Sequence, residues 1–545
     1  GLRDEYVAPM FEVTWGPALA SFSTAMESAN GTVGALLAIA SDEELEIAAE
    51  NAAETIEVCL TGFRFAICTA GLCGNQTARD AYMLGLSRFS QLGTGVLLEP
   101  RHVRCIQTML GLAREDGELL GTSWQHVFRS LSEINRFHQL FHLMARNNRA
   151  AAAAADRRRR KYQEKEAKKE ARERRKSAVE EGESIGDVSE SEYMSDDLNS
   201  LAESEVFSDD DDFDIVDDMD AKAIDEVNAR IIYEGVSEAA IEAIYERSSS
   251  LSATGVKEFV AQLCFVSRIE ISVRGAQSKN DLTHVTYRQQ HALLTAGEQF
   301  HHSQPNIYNL QKLVEVAHYN MDSRPRMIFA DLWASIANHL TYTALHSNPA
   351  LAMYAVDSFR QLSIQFLQRD ELEVFEFQKR FLKPLETVMV KSDQASTKEL
   401  LLNCIHRIIQ VFDTGSGEQK QQKGGLRSGW APILAILGQG GRDGNHEIAE
   451  MSMKILSTEI DRCLNDKFER HVLLNEHFVE TTEAILAVAS APHTPIASKA
   501  VKMCGALSDF LGDADVERPQ VKRKSMLGAH APPSEDPSMR DLELW

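Results

Sequence analysis

The chain is short of basic charge, of clustered cysteine and of strand-forming alternation. Against 81 Asp and Glu there are 57 Lys and Arg, a net charge of −24 over 545 residues. Such an excess repels polyanions at long range and argues against non-specific nucleic-acid binding by the whole chain. The eight cysteines form no CxxC pair, so neither a disulfide framework nor a zinc site is written here. Most sit in apolar helical context, read as small buried residues, and suit a reducing compartment. No uninterrupted apolar run reaches 18 residues, so no membrane span is expected. Period-two alternation is confined to a short strand expected at Arg268–Arg274. The start at Gly1 carries no signal-peptide pattern and reads as a piece of a longer protein.

What is present is amphipathic helix. Hydrophobic residues make up 43% of the sequence, enough for several units or one long helical array. Phe11, Trp15, Leu19 and Phe22 recur at helical spacing, as do Ile56, Leu60, Phe63 and Ile67. The clearest block runs from Asn306 to Pro384. Ile307, Leu310, Val314, Ala317 and Met321 step by three or four, and the breaks fall at Ser323-Arg324-Pro325 and Ser347-Asn348-Pro349. Each helix pair occupies about 40 residues, the period of HEAT and armadillo arrays. The expected fold is therefore all-α: a HEAT/armadillo-like α-solenoid of helical hairpins with a charged, disordered insertion.

That insertion spans 150–220. Six alanines lead into Arg157, Arg158, Arg159, Arg160 and Lys161, a helix without an apolar face. It reads as a solvated helix, or as a basic patch attracted to anionic lipid. From Glu180 to Asp220 there are eighteen acidic residues and no basic one, too little apolar surface to offset ordering entropy. Ser189, Ser191, Ser195, Ser204 and Ser208 stand there before acidic residues and are candidate phosphorylation sites. The other boundaries expected are a helical segment at 1–149, its remainder and a connection at 221–300, a second segment at 301–424, a third at 425–511 and a disordered tail at 512–545.

The search for chemistry finds no catalytic constellation. Gly438-Gln439-Gly440-Gly441 lacks the Gly-Lys-Ser/Thr ending of a P-loop and reads as a helix–helix connection. The acidic run lacks the Gly and Glu of a calcium loop. His138 and His142 stand four apart without the Glu of HExxH or an evident third ligand, and read as helix-surface or interface residues. No cofactor and no metal are expected. Asp357 and Arg360 read as an intrahelical pair or a partner contact. With Asn309, Asn320 and Gln361 they are the candidates for a partner-binding or structural groove.

Several passages together resemble the large brefeldin A-inhibited type of Arf guanine-nucleotide exchange factor, the BIG group. They are Met10-Phe11 through Ser23, Gly62–Ile67, Arg79-Asp80-Ala81-Tyr82 and Asp116–Trp124. The strongest are Tyr308–Glu315, Tyr319-Asn320-Met321 with Trp333, Ala355–Ser363 and Phe377–Pro384; Ser428-Gly429-Trp430 opens a further segment. The matching part is the HDS region downstream of the family's catalytic domain. The resemblance implies a helical solenoid, non-catalytic in itself, from a protein promoting GDP–GTP exchange on Arf at trans-Golgi or endosomal membranes. It implies regulation of the exchange domain, small GTPases of the Arf/Arl/Rab class as partners, self-association, and a cytoplasmic, peripheral-membrane location; the charge pattern adds an anionic membrane surface as a candidate partner and argues against nucleic acid. A trafficking scaffold of the Mon-two type, lacking an exchange domain, is the alternative.

Overall fold

The computed structural model describes residues 3–36, 42–180, 216–272, 306–367, 376–413, 426–465 and 471–512. The described residues contain α-helices, short 3-10 and π turns, and no strand. They divide into two compact units, Gly1–Ile328 and Phe329–Trp545, and the division falls inside one helix. Each unit is a stack of paired helices, which is the α-solenoid plan.

The first unit holds α1 (Ala8–Leu36), α2 (Asp42–Cys73), α3 (Gln76–Phe89), α4 (Pro100–Glu115), α5 (Trp124–Glu180), α6 (Val216–Gly235), α7 (Glu238–Glu246), α8 (Ala253–Ser272) and α9 (Tyr308–Ser323). Local chemistry sets the ends. Asn75 accepts from the Ala78 amide to cap α3, and Pro100 opens α4 behind Glu99, where a missing amide costs nothing. Phe63 of α2 is fully buried and meets Tyr82 and Phe89 edge-on, which fixes α2 against α3. A second cluster joins Trp124 and Phe128 of α5 to Phe259 of α8 and Tyr245 of α7.

The second unit holds most of α10 (Arg326–Ala344), then α11 (Pro349–Leu367), α12 (Phe377–Lys391), α13 (Ala395–Asp413), α14 (Trp430–Gly441), α15 (His446–Asn465), α16 (Phe478–Ala489) and α17 (Thr494–Gly512). The two Pro-marked breaks of the sequence are the turns before α10 and α11. Trp333 stacks on Phe381 at 3.7 Å between ring centroids, and Phe381 on Phe366 at 4.4 Å, an aromatic column through α10, α11 and α12.

Four expectations change. Residues 268–272 end α8 and are not a strand, because Val256, Phe259, Leu263 and Val266 carry a buried helical stripe on to Ile271. The Gly438–Gly441 run is the last turn of α14, and the connection is 442–445. The glycines let α14 approach its neighbours: a Cβ on Gly441 would lie 2.4 Å from Val488 Cγ2, and one on Gly438 3.1 Å from Ala484 Cα. Helix α6 begins at Val216, inside the stretch expected to be disordered. Finally, among the described residues one helix stretch, Glu46–Cys73, is long and apolar enough to cross a membrane by length and composition, with 33% of its most apolar window buried. The run test missed it because Thr61, Gly62 and Arg64 interrupt the apolar residues.

Candidate interaction surface

Three polar residues of the Tyr308–Ser323 helix, Asn309, Lys312 and Asn320, point inward. Asn309 and Asn320 are both fully buried. Asn320 donates from Nδ2 to Ser248 Oγ and to Val316 O, each over 2.9 Å. Its Oδ1 accepts from Arg324 Nε, and Arg324 Nη2 continues to Ser248 O at 2.8 Å and Leu251 O at 2.6 Å. Asn309 Nδ2 donates to Glu270 Oε1 over 2.8 Å. Lys312 lies over the Tyr245 and Tyr308 rings and pairs with Glu242 at 2.5 Å and Glu315 at 2.8 Å. This helix is keyed to α7, α8 and the 247–250 turn.

The other candidates lie on α11 in the second unit. Arg360 donates to Asp357 Oδ1 at 2.8 Å from Nε and 2.7 Å from Nη2, and Gln361 Nε2 donates to Asp357 Oδ2 at 2.6 Å. The three form one local fork on an exposed face. The five residues therefore divide between two settings, a buried one on α9 and a surface one on α11.

Along the basic run, α5 is unbroken to Glu180, and Arg157 and Arg159 are exposed. Arg158, Arg160 and Lys161 are helical, their side chains outside the described set. Ser189, Ser191, Ser195, Ser204 and Ser208 lie outside the described residues.

The passages near the start of the chain also prove to be joints. Arg79 is buried; it donates from Nη2 to Thr122 Oγ1 over 2.9 Å and from Nη1 to Leu119 O over 3.3 Å. Thr122 and Ser123 donate in turn to Asp80, at 3.0 and 2.5 Å. Gly121 adopts φ +46 beneath the Arg79 guanidinium, where a Cβ would lie 2.7 Å from either terminal nitrogen. Glu118 accepts from the Ser252 amide at 2.9 Å and so anchors the start of α8. Next to this knot His126 is held well below the usual imidazole range, at about 4, by burial and by Arg129.

His138 and His142 do find a carboxylate: His142 Nε2 lies 2.8 Å from Glu238 Oε1, and His138 Nδ1 3.7 Å from the same atom. Among the described residues no group of three or more His, Cys, Asp or Glu is arranged to hold a metal ion.

What residue-by-residue reading missed is the outer face of the first helix pair. On α2, Val58, Phe65 and Leu72 are exposed, at 63%, 68% and 51%, while Ile56, Cys59, Leu60, Phe63, Ile67 and Ala70 on the opposite face are buried. On α1, Met10 and Val13 are exposed while Phe11, Trp15 and Phe22 turn inward. Both helices are thus apolar on two faces, one buried and one open. The signal was available: Val58, Phe65 and Leu72 recur every seven residues, the spacing of a helix seam.

Residues 365–458 match the family described as Mon2/Sec7/BIG1-like, HDS. Similarity extends well beyond that segment. Brefeldin A-inhibited guanine nucleotide-exchange protein 1 of Arabidopsis thaliana is 25% identical over 448 residues, 82% of this chain and 22% of the relative. The chain resembles a region of the BIG-type Arf exchange factors. The human protein of the same name is 24% identical over 520 residues, 95% of this chain and 23% of the relative. The ADP-ribosylation factor guanine nucleotide-exchange factor sec72 of Schizosaccharomyces pombe is 27% identical over 434 residues, 79% and 19%. The chain thus spans less than a quarter of the length of these exchange factors. A solved circular tandem repeat protein covers 92% of the chain at 12% identity and a TM-score of 0.28, too low to carry an argument.

Proposed function

We propose that this chain is a regulatory, non-catalytic region of a large Arf exchange factor, and that it docks a small GTPase of the Arf class on the outer face of α1 and α2. The supporting observation is that open face, where Met10, Val13, Val58, Phe65 and Leu72 present apolar surface on a rigid helical stack. A monomeric surface seldom exposes contiguous apolar side chains without a partner, and the core of an interface is depleted in charge. Binding the GTP form recruits the protein to a trans-Golgi or endosomal membrane and relieves inhibition of the exchange domain. Such coupling is worth roughly 1–3 kcal/mol in other allosteric proteins. The basic residues from Arg157 to Lys161 add attraction to anionic lipid, and phosphorylation of the acidic stretch weakens it by charge.

The test is Arf nucleotide exchange on membranes by the exchange domain, with and without this region attached, and with Phe65→Ser and Met10→Ser in the attached form. The reading expects slower exchange and weaker membrane partitioning in the double variant. Identical rates and identical partitioning in all three forms would refute it. A second reading follows from the family description, which also includes Mon2: a trafficking scaffold whose parent has no exchange domain. The coding sequence around this region separates the two.

A further inference from the structure

Glu270 stands two residues from the end of α8, where α5, α8 and α9 meet. Its Oε1 accepts from Ser132 Oγ of α5 at 2.6 Å and from Asn309 Nδ2 of α9 at 2.8 Å, with Asn306 Nδ2 at 3.5 Å. Its Oε2 is shielded from solvent and has no hydrogen-bond partner, and Asn309 Oδ1 is likewise buried without one. A carboxylate largely shielded from solvent normally faces a cation; here the partners are a hydroxyl, two side-chain amides and the Asn309 backbone amide.

The charged groups of the surrounding elements make their ion pairs away from Glu270, although Arg136 Nη2 is buried without a partner. On α5, Glu133 pairs with Arg136, which also reaches Asp225 of α6. On α7 and α9, Lys312 is taken by Glu242 and Glu315, and the phenols of Tyr245 and Tyr308 are neutral. Glu133 adds a like charge. Glu270 Oε2 and Asn309 Oδ1 are shielded from solvent without a hydrogen-bond partner of their own, although the Asn309 backbone amide favours the ionised carboxylate. A proton on Oε2 removes the charge and turns this unpartnered oxygen into a donor.

We propose that Glu270 is a proton-gated tie: with a proton on its carboxyl, the first turn of α9 is held firmly against α5 and α8, and without it that hold loosens. Burial raises the carboxyl to about 7, within the range where the change is measurable. The raised value fixes the sign. The folded form keeps the proton longer than the unfolded form, so the contribution is complete below about pH 4.5 and is lost as pH rises through about 7.

Amide hydrogen exchange along α9 tests this on the whole chain, corrected for intrinsic rates. Taking 4.5 in the open form and about 7 in the closed form, the opening constant of the first turn rises about tenfold between pH 6 and pH 8. Glu270→Gln, which cannot ionise, is expected to hold one value across that range. The wild-type chain gives a second readout that needs no variant: the protonated-carboxyl stretch in isotope-edited infrared spectra should fade through the same pH interval. A flat wild-type exchange profile, an unchanged pH slope in Glu270→Gln, or no carboxyl band titrating near pH 7 would each overturn the proposal.

Discussion

Asn320 and Ser248 meet at 2.9 Å in the interior of the first unit, and Arg324 closes over both. The amide orients the guanidinium, which in turn satisfies two carbonyls of the 248–251 turn. Asn320→Ala therefore removes a buried hydrogen bond and strips a partner from a half-buried cation. A loss of about 2–4 kcal/mol is expected. Denaturant unfolding followed by a probe in the first unit measures it, and a loss under about 0.5 kcal/mol would show that the network is replaceable.

Trp333 is the plate against which Phe381 stacks, and Phe381 stacks in turn on Phe366. Truncation leaves a cavity between three helices. Trp333→Ala should cost about 3–5 kcal/mol, and Trp333→Phe appreciably less. Thermal unfolding of the two variants side by side checks the ranking.

Close approach of α14 and α16 rests on the absence of one methyl group. Gly441→Ala places a Cβ 2.4 Å from Val488 Cγ2, and about 1–3 kcal/mol of strain follows. Val488→Ala in the same chain should recover part of it. If the double variant is the sum of the two single ones, the clash is not the cause.

Phe65 lies on the open face of α2, away from the buried stripe. Phe65→Ser is expected to change stability by no more than about 0.5 kcal/mol. Its effect should appear in partner binding, read as loss of co-sedimentation with membranes carrying a GTP-loaded Arf. A large fall in melting temperature would instead place Phe65 in the core.

The pH dependence at His126 has the opposite sign to that at Glu270. Its folded value of about 4 lies below the model-peptide value of 6.5. The unfolded chain takes up the proton first, so stability is lost as pH falls from about 6.5 to about 4. His126→Gln should flatten that part of the stability–pH curve, followed by chemical denaturation at each pH.

Much of the architecture was legible because helical burial is written every three to four residues. Leu310, Val314, Ala317 and Met321 named the buried face of α9, and the two proline-marked breaks named its neighbours' starts. Gly438–Gly441 was misplaced because glycine weakens helix propensity. The tight approach of Val488 and Ala484 that makes glycine the fitting residue comes from a helix 47 and 46 residues further on.

The sequence by itself determined the helices, their amphipathic faces and the resemblance to a region of the large exchange factors, since these depend on local spacing and colinear motifs. Tertiary structure alone decided the use of the polar side chains. Asn309 and Asn320 face inward to Glu270 and Ser248, which lie 39 and 72 residues away, while Asp357 and Arg360 remain on the surface. Nothing in the spacing of a helix says what will lie across from it; only packing brings a distant carboxylate or hydroxyl within 3 Å of an amide. The same holds for the open faces of α1 and α2, whose apolar residues resemble core until the stack shows one side uncovered.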